Sequence, residues 1–464
     1  MKPIQVKEIR QILHGDLLYG SEDWYIENVI YYKRHILDKK NSMLFVSRRD
    51  EINWKELEQL GPCLVISDKS AVALQQHSEK ITVLRVASVI QAYWKFMTYY
   101  RNLFSLPVIS ITGTCGKTTT KEIIKHVLGE KLVVQASISS MNEPRRSLPY
   151  LMGIDETTEA AIFELGLGNT GNITHQCMIY QPTIGIITNI GVHHLDGTGS
   201  LEGYIQAKGE IVKGIRENGI LILNVDDENT KKISLEGFKG KTIYFGKDSP
   251  CDFQATDIRY GNNRMFFNVV FNQMSYPLSI PGYGEHQVYN ALAALAAIWQ
   301  VGRLSMEEIA RRMASFKPLD RHLEVTTGHN GCIVIDDTWT NNPTSVESAL
   351  NVVESIAKGK KVIVILGDIN RLGDYEVEYH QKIGTLVAGK NIDTLFTIGK
   401  KAREIGHQAI RDRFKGKVYL MDNALQLKAL LEGIIDQNTI ILIKGPMSSR
   451  SMVNLANGLK KQQD

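Results

Sequence analysis

The sequence predicts an α/β protein with three domains. These are a small α/β domain over residues 1–105, a central parallel sheet of the P-loop type with helices on both faces over 106–317, and a Rossmann-like α/β domain over 318–464. The chain of 464 residues is too long for a single hydrophobic core. In its centre, short apolar strands such as "PVISITG" and "PTIGIITNIG" alternate with helical stretches, as in parallel sheets. The alternation resumes after residue 318 in "GCIVIDD", "KKVIVILGD" and "NTIILIKG".

The first hundred residues have a different texture from the rest. They contain three short apolar strands, "SMLFVS", "PCLVIS" and "TVLRVA", interspersed with helical stretches. They end in the aromatic segment "AYWKFMTYY". Short apolar strands bounded by turn residues and followed by a helix favour a separate small α/β unit.

Composition limits the classes of partner. Hydrophobic residues make up 43% of the chain and charged residues 22%, and the net charge is +4, as in an ordinary soluble globular protein. Neither a nucleic-acid partner nor a membrane partner is expected, because basic blocks and apolar runs of about 18 residues are lacking. The five cysteines are scattered and odd in number, which predicts reduced thiols and a cytoplasmic location. A monomer is expected.

A candidate phosphate-binding loop follows the first central strand, in "VISITGTCGKTTTKEII". Gly113, then Gly116, Lys117 and Thr118 opening a helix, would gather backbone N–H groups around phosphate oxygens. Lys117 would neutralise phosphate charge, and the Thr118 hydroxyl would bind Mg²⁺. Two residues separate these glycines where the general pattern has four, and the alternative is a turn that binds nothing. Cys115 is expected to point away from the nucleotide.

Polar residues at the ends of neighbouring strands are candidate metal ligands, because the loops of a parallel sheet converge there. "AAIFELG" ends in Glu164 followed by glycine, as expected for a carboxylate at a strand tip. The next strand ends at Asn189 and is followed by His193, His194 and, further on, Lys208. From the residues alone, His193 is interpreted as structural or exposed, and Lys208 as a surface lysine.

Eight segments in fixed order resemble the Mur ligase family, the ATP-dependent amide-forming ligases of cell-wall precursor synthesis. They are "ITGTCGKTTT", "ELG", "TNIGVHHLDGTGSLEGYIQAKGEI", "NVDDEN", "GEHQVYNALAALA", "IDDTWTNNPTS", "LGDINRLGD" and "ILIKG", and they extend over residues 106–445. "HLDGTGSLEGYIQAKGEI" and "DDTWTNNP" are most similar to the branch that adds D-alanyl-D-alanine to the UDP-N-acetylmuramoyl-tripeptide. The short-spaced phosphate loop is the form found in this family.

The resemblance implies a role for individual residues. The residues that would bind ATP are Gly113, Thr114, Gly116, Lys117, Thr118, Thr119, His286, Asn290, Arg321, Asp337 and Trp339. The ligands of two Mg²⁺ ions would be Thr118, Glu164, His194 and Lys208, with the lysine carbamylated. The catalytic residues would be Lys117, His194 and Lys208. Contacts to the substrate would come from Asn142, Arg145 and Arg146.

The implied reaction explains this set of residues. A carboxylate of the substrate attacks the γ-phosphate of ATP to give an acyl phosphate and ADP. The amine of an amino acid or dipeptide then attacks the acyl carbon, and phosphate leaves. Lysine and Mg²⁺ offset the repulsion between the two anionic reactants. The third domain would act as a lid that excludes water from the acyl phosphate.

Three departures from the family pattern concern the central and third domains. The "Gly-Arg" of the third domain is replaced here by Arg321-His322. In "SSMNEPRRSLPY", Arg145 and Arg146 stand where the branch has Ile-Gly-Val-Pro after Asn-Glu. In "ELGLGNTGNI", Gly168 and Asn172 replace an asparagine and a glutamate.

The fourth departure concerns the first domain. In this branch it carries an Asp-Ser-Arg motif and a glycine-containing loop that hold the uridine diphosphate, and both are missing here. The region offers Lys33, Arg34, Arg48 and Arg49 instead. Either another carrier occupies the first domain, or the central domain binds the UDP-sugar through its own arginines.

Three interpretations of the function remain open. The first is a ligase that joins D-alanyl-D-alanine to the UDP-sugar tripeptide. The second is a Mur-type ligase for another carboxylate, of specialised metabolism or of polyglutamate type. The third is an ATP-binding regulatory protein without catalysis, which would have no need of two metal sites. Assaying the purified protein with ATP and a panel of carboxylates and amino acids distinguishes them.

Overall fold

The computed structural model describes residues 1–31, 40–59, 61–75 and 78–461. Contacts divide the chain into two compact units. The first unit comprises Met1–Ser110, Lys131–Leu165 and Thr174–Thr183. The second comprises Ile111–Glu130, Gly166–Ile173 and Ile184–Asp464. The three domains with boundaries near 105 and 317 stay a prediction from the sequence.

The secondary structure alternates between strands and helices. The strands are β1 (Ile4–Gln5), β2 (Asp16–Tyr19), β3 (Tyr25–Ile26), β4 (Asn28–Tyr31), β5 (Ser42–Val46), β6 (Cys63–Ser67), β7 (Ile81–Arg85), β8 (Val108–Thr112), β9 (Val134–Ala136), β10 (Ala160–Glu164), β11 (Ile184–Ile187), β12 (Ile220–Asn224), β13 (Lys241–Gly246), β14 (Phe253–Gly261), β15 (Arg264–Phe271), β16 (Met274–Pro281), β17 (Glu324–Thr327), β18 (Ile333–Asp337), β19 (Lys361–Gly367), β20 (Thr394–Ile398), β21 (Lys417–Met421) and β22 (Thr439–Lys444). The helices are α1 (Val6–Leu13), α2 (Trp54–Gln59), α3 (Val89–Asn102), α4 (Lys117–Gly129), α5 (Ser147–Met152), α6 (Asn172–Tyr180), α7 (Leu195–Thr198), α8 (Leu201–Gly214), α9 (Glu285–Val301), α10 (Met306–Ala314), α11 (Pro343–Ala357), α12 (Glu376–Ala388), α13 (Arg403–Arg411), α14 (Leu427–Glu432) and α15 (Arg450–Leu459). In the described part of the chain, each helix is too short or too polar to cross a membrane.

The first unit contains a five-stranded sheet in the order β2-β7-β6-β5-β4. The strands β4 to β7 are parallel, and β2 joins β7 antiparallel at one edge. Every residue of β5 and β6 is buried, as expected for parallel strands covered on both faces. The unit also contains the parallel pair β9 and β10. The strands and helices expected for a small α/β domain at the amino terminus are therefore present.

The central strands of the second unit are parallel from β11 through β14, and β15 and β16 extend them as an antiparallel meander. Helix α9 packs against this sheet and against α4. Its residues 291–298 are at most 1% exposed. A helix that is apolar on all sides is stable only when protein surrounds it. Its burial fixes the amino end of α9 beside the amino end of α4, where the phosphate loop lies.

A second sheet of the same unit has the order β17-β18-β22-β19-β20-β21, and all its strands are parallel except β17. This is the Rossmann-like arrangement expected from the sequence. In its register Asp337 at the end of β18 lies opposite Lys444 at the end of β22. Ligands of open α/β sheets bind at the carboxyl ends of the strands. The register thus places a charged pair at the edge where a ligand is expected.

A buried arginine holds part of the first unit together. Arg101 in α3 is fully buried and donates to three backbone carbonyls, of Phe104 (2.8 Å), Tyr180 (2.7 Å) and Gln181 (3.4 Å). A buried cation is costly unless its hydrogen bonds are satisfied. These bonds therefore tie α3 to the end of α6.

Replacement of Arg101 by methionine is expected to destabilise the first unit by about 3 kcal/mol or more, because three buried carbonyls lose their donor. Hydrogen exchange of α3 peptides in increasing urea measures the change. The control is Arg85→Met, since Arg85 forms an exposed ion pair with Asp16 at 2.8 Å and should contribute less than about 1 kcal/mol. Equal effects of the two substitutions would contradict the stabilising role assigned to the hydrogen bonds of Arg101.

Candidate functional site

The phosphate loop requires glycine at two positions. Gly113 has a φ of 141°, and a Cβ atom there would lie 2.0 Å from Oγ1 of Thr188. Gly116 has a φ of 82°, and its Cβ atom would lie 2.1 Å from Oδ1 of Asn290. Both distances exclude a side chain. The loop with two intervening residues is thus a tightly packed backbone turn in which neither glycine tolerates a substitution.

Side chains at the end of β11 hold this loop. The backbone N–H of Cys115 donates to Oδ1 of Asn189 at 3.0 Å, and Nδ2 of Asn189 donates to the Cys115 carbonyl at 3.0 Å. Oγ1 of Thr188 donates to the same carbonyl at 2.7 Å. The N–H of Thr114 is bonded to the Asn189 carbonyl at 2.9 Å. The loop is therefore fixed before any ligand arrives.

Helix α4 starts at Lys117 directly after this loop, so its first N–H groups surround the loop cavity. Nζ of Lys117 donates to the Thr114 carbonyl at 3.0 Å, which bends the side chain back over the loop. Thr118 occupies the second position of the helix, and Thr119 is 8% exposed. A helix amino terminus with a lysine over it favours an anion, and phosphate is the usual one.

His286 and Asn290 lie one turn apart at the start of α9, and Asn290 contacts the loop through Gly116. The pKa of His286 is lowered to about 4, mainly by burial; Asp337 opposes the shift, and nearby Lys444 adds to it. His286 is therefore neutral at neutral pH. The electrostatic interaction with Asp337 and Lys444 also shows that α9 lies near the carboxyl ends of β18 and β22.

Asp337 and Lys444 form a buried ion pair. Nζ of Lys444 lies 2.5 Å from Oδ2 of Asp337 and donates to the Thr340 carbonyl at 2.9 Å, and the lysine is fully buried. Oδ1 of Asp337 accepts a bond from the N–H of Leu323 at 3.3 Å. A buried pair of this kind persists only when additional hydrogen bonds satisfy its atoms. The carboxylate of Asp337 is thus held in one position.

Arg321 has a φ of 61°, in the left-handed region that glycine adopts at lower cost. This explains how arginine stands where the family pattern has glycine: the backbone keeps a glycine-like conformation, at a cost of about 1 kcal/mol or more. The side chain donates to Oγ1 of Thr338 at 3.0 Å and to its carbonyl at 2.7 Å. Its guanidinium lies 5.0 Å from the ring centroid of Trp339. His322 stacks on the same ring at 5.3 Å.

Within the second unit, the loops around the two sheets touch each other. The thiol of Cys115 donates to Oδ1 of Asn342 at 3.5 Å. The N–H of Val192 donates to Oγ1 of Thr344 at 3.2 Å. Cys115, which was expected to point away from the nucleotide, contacts the amino end of α11. Burial raises the pKa of its thiol, which keeps it protonated.

An ion pair adds to these contacts. Nε of Arg371 lies 2.6 Å from Oδ2 of Asp196, and the backbone of Gly373 passes over Asp196 so closely that a Cβ atom would be 3.2 Å from its Cα. The two sheets of the second unit therefore have their carboxyl edges turned toward each other, as a closed lid requires.

His193 and His194 follow β11, and their rings lie 4.0 Å apart. The pKa of His194 is lowered to about 3, mainly by burial, and the nearby cations Arg371, Lys208 and Lys117 contribute to this shift. Burial also lowers the pKa of His193 well below its usual value. Among the described residues, none bonds to the buried Nδ1 atom of His194. The interpretation of His193 as structural or exposed stays a prediction, and the structure adds that its ring lies beside that of His194.

Lys208 is 2% exposed, so its interpretation as a surface lysine was wrong. The reason is the face of α8 on which it lies, because Tyr204, Ala207 and Ile211 are buried on the same side. Its Nζ donates to Oγ1 of Thr112 at 3.1 Å and lies 5.2 Å from the Tyr204 ring centroid.

The remaining predicted residues lie in the first unit. Glu164 ends β10, is 2% exposed and accepts a bond from Nδ2 of Asn142 at 2.6 Å. The predicted substrate contacts Arg145 and Arg146 both pair with the partly exposed Glu143, at 3.8 and 2.8 Å.

Of the basic residues noted in the first domain, Lys33 and Arg34 lie outside the described residues. Arg48 has an exposed side chain and lies 3.8 Å from Asp68.

The predicted ligands fit a divalent cation in their chemistry. In the residues that the structure describes, histidines, cysteines, aspartates and glutamates form no cluster of three that could hold a metal ion. A site must therefore draw on hydroxyls, a modified lysine or phosphate oxygens. Nδ1 of His194 is the candidate metal ligand among these atoms, because it belongs to a neutral imidazole and accepts no hydrogen bond from a described residue.

Two family models match the chain. The model described as the Mur ligase middle domain matches residues 111–298, and the one described as Mur ligase, glutamate ligase domain matches 321–447. The chain belongs to the Mur ligase family. Members of this family are ATP-dependent, ADP-forming ligases, which makes the chain an enzyme of that class.

Three relatives illustrate the likeness. The UDP-N-acetylmuramoyl-tripeptide–D-alanyl-D-alanine ligase of Bacillus subtilis is 29% identical over 85% of this chain and 83% of its own length. A crystal structure of MurF from Acinetobacter baumannii has a TM-score of 0.82 at 23% identity and covers 98% of this chain and 99% of that one. MurF from Thermotoga maritima in complex with ADP has a TM-score of 0.75 at 21% identity, with coverage of 91% and 94%. The two structural likenesses establish the fold.

Lys444 and Thr344 were missed as site residues by reasoning from sequence. Lys444 had a signal, since a lysine that ends the apolar strand "TIILIK" must be buried or lie at the strand tip. No sequence pattern indicated Thr344, because its hydrogen-bond partner Val192 is far away in the chain.

His286 provides a test of the site through pH. Its pKa is about 4 in the folded protein against 6.5 ordinarily, so below pH 6.5 the unfolded chain binds a proton that the folded chain does not. The free energy of unfolding should therefore fall as the pH drops from 7 to 4.5, with about 2 to 3 kcal/mol of the loss due to this ring. Urea unfolding of His286→Gln should show a correspondingly shallower dependence, and the exposed His329→Gln should follow the wild type. Identical pH profiles for wild type and His286→Gln would contradict the buried placement.

Proposed function

We propose that this ligase adds D-alanyl-D-alanine to a UDP-N-acetylmuramoyl-tripeptide during synthesis of the cell-wall precursor. The main support is the phosphate loop, which Asn189 holds through hydrogen bonds and over which the side chain of Lys117 folds. Asp337, fixed by Lys444, acts electrostatically on Cys115 of this loop. The named activity of the Bacillus subtilis relative supports the choice of substrates. The enzyme works as a monomer in the cytoplasm, and its five free cysteines agree with a reducing compartment.

The residues have distinct tasks in this proposal. Backbone N–H groups at the start of α4, together with Lys117, bind the β- and γ-phosphates and stabilise the charge that develops as the substrate carboxylate attacks phosphorus. His286 and Asn290 bind the adenine side. Asp337, Trp339 and Arg321 close on the nucleotide from the second sheet and keep water from the acyl phosphate.

A metal completes the arrangement. Thr118, Glu164, His194 and a carbamylated Lys208 would hold two Mg²⁺ ions, which when bound neutralise phosphate charge. Carbamylation turns the ammonium of Lys208 into an anion. Burial disfavours the ammonium form of Lys208, and carbamylation removes that cation.

A second candidate is a Mur-type ligase for another carboxylate. It is favoured by the missing Asp-Ser-Arg motif and glycine loop of the first domain. Among the described residues there, Arg48 is exposed and already lies beside Asp68, so it offers no preformed phosphate site. Under this alternative the ATP half of the mechanism is unchanged.

The substrate test uses purified enzyme with ATP and Mg²⁺. The UDP-N-acetylmuramoyl-tripeptide and D-alanyl-D-alanine should together release ADP and give the pentapeptide product by mass spectrometry, whereas either alone should not. Lys117→Ala should reduce turnover by about 10³-fold or more with the fold intact. ADP release only with other carboxylates supports the second candidate, and unchanged turnover in Lys117→Ala contradicts the phosphate loop.

Lys208→Ala tests the carbamate. Activity should nearly vanish, since the site loses an anionic ligand, and added formate or acetate should restore part of it by taking the place of the carbamate. Lys213→Ala, near the end of the same helix, is the control and should remain active. Full activity of Lys208→Ala without added carboxylate would show that the lysine has no role in metal binding.

A further inference from the structure

Two consecutive imidazoles lie side by side in the second unit. In an extended chain neighbouring side chains point to opposite faces. His194 has a φ of 53°, in the left-handed region, where it precedes the first turn of α7. The rings of His193 and His194 lie 4.0 Å apart with their planes at 49°, so both point to the same side of the chain.

The surroundings of His193 are those of the catalytic region. Lys117 of the phosphate loop, Lys208 and Arg371 all act electrostatically on its ring, and the same three cations act on His194. His193 therefore shares the space that the proposed function assigns to a metal ion and phosphates.

The donor atoms indicate which metal ion fits. Nδ1 of His194 is buried, and no described residue bonds to it. Mg²⁺ prefers oxygen ligands in an octahedral arrangement, whereas imidazole suits softer divalent ions such as Mn²⁺ and Co²⁺. Two adjacent imidazoles would raise affinity for the softer ions far more than for Mg²⁺.

We propose that His193 joins His194 as a second imidazole ligand of one divalent cation, so that this position, a Mg²⁺ site under the proposed function, binds Mn²⁺ or Co²⁺ more tightly than Mg²⁺. The proposal rests on the metal role given to His194 under the proposed function. It assigns a ligand and a class of metal to a residue that the sequence pattern leaves without a role.

The test measures metal binding directly. The full-length protein, with bicarbonate and a non-hydrolysable ATP analogue, is titrated with Mn²⁺, and free Mn²⁺ is followed by electron paramagnetic resonance. His193→Phe keeps a ring of similar size and removes the nitrogens. It should weaken one Mn²⁺ site by about tenfold or more and leave Mg²⁺ affinity little changed. Electron spin echo modulation from directly bound ¹⁴N should fall from two nitrogens to one.

Controls separate the alternatives. The side chain of His407 is 46% exposed, and His407→Ala should bind Mn²⁺ as the wild type does. Wild-type binding and ¹⁴N modulation in His193→Phe would overturn the proposal and leave His193 as a packing partner. Equal loss of Mn²⁺ and Mg²⁺ would also overturn it, because no selectivity would depend on the imidazole. If His193→Phe does not fold, His193→Gln serves for the same measurements.

The outcome is independent of the substrate. A wild-type protein that forms no product from the UDP-sugar tripeptide but shows two-nitrogen Mn²⁺ binding refutes the proposed substrates and retains the metal ligand. Product formation together with single-nitrogen Mn²⁺ binding supports the proposed substrates and refutes His193 as a metal ligand.

Discussion

The close approach of the phosphate loop to its neighbours is the constraint on which the site depends. Gly113 packs against Thr188 at the end of β11, and Gly116 packs against Asn290 at the start of α9. The loop therefore joins three elements that are distant in the chain, and the buried helix α9 keeps them in place. A loop that is held from both sides positions the amino end of α4 and Lys117 without any help from a ligand. Such preorganisation is what electrostatic catalysis of phosphoryl transfer requires.

The buried pair of Asp337 and Lys444 preorganises the second sheet in the same way as the glycines preorganise the phosphate loop. Two buried charges rarely stabilise a fold more than apolar residues of the same size would. Their retention is better explained by position, because the pair lies at adjacent strand ends and acts electrostatically on both Cys115 and His286. A carboxylate fixed by a lysine and by the N–H of Leu323 cannot turn away from a nucleotide. The pair thus sets the geometry with which the second sheet meets the phosphate loop.

The sequence predicted the α/β fold and the phosphate loop because both depend on local patterns: apolar strands at regular intervals, and glycines before a lysine. The sequence was less informative about features that depend on the face of a helix or on a backbone dihedral angle. The burial of Lys208 could have been inferred, since Tyr204 and Ile211 lie four residues before and three after it on one helical face. The positive φ of Arg321 has no signature in residue type, because arginine seldom adopts it. The neighbourhood of His193 depends on such an angle too.

The cations near the two histidines bear on how the proposed ligands would bind. Lys117, Lys208 and Arg371 all act electrostatically on His193 and His194, which burial keeps neutral, and Asp196 offsets the charge of Arg371. Cations repel a divalent metal ion and attract a nucleotide. Under the proposed function the nucleotide would therefore bind first or together with its metal ion, and its phosphates would provide the negative charge that the ion needs. The proposed carbamate at Lys208 acts in the same direction, because it replaces one of the three cations by an anion beside the histidines. Of the three cations Lys208 is buried, whereas the side chain of Arg371 is 46% exposed, so the carbamate would act where water screens charge least.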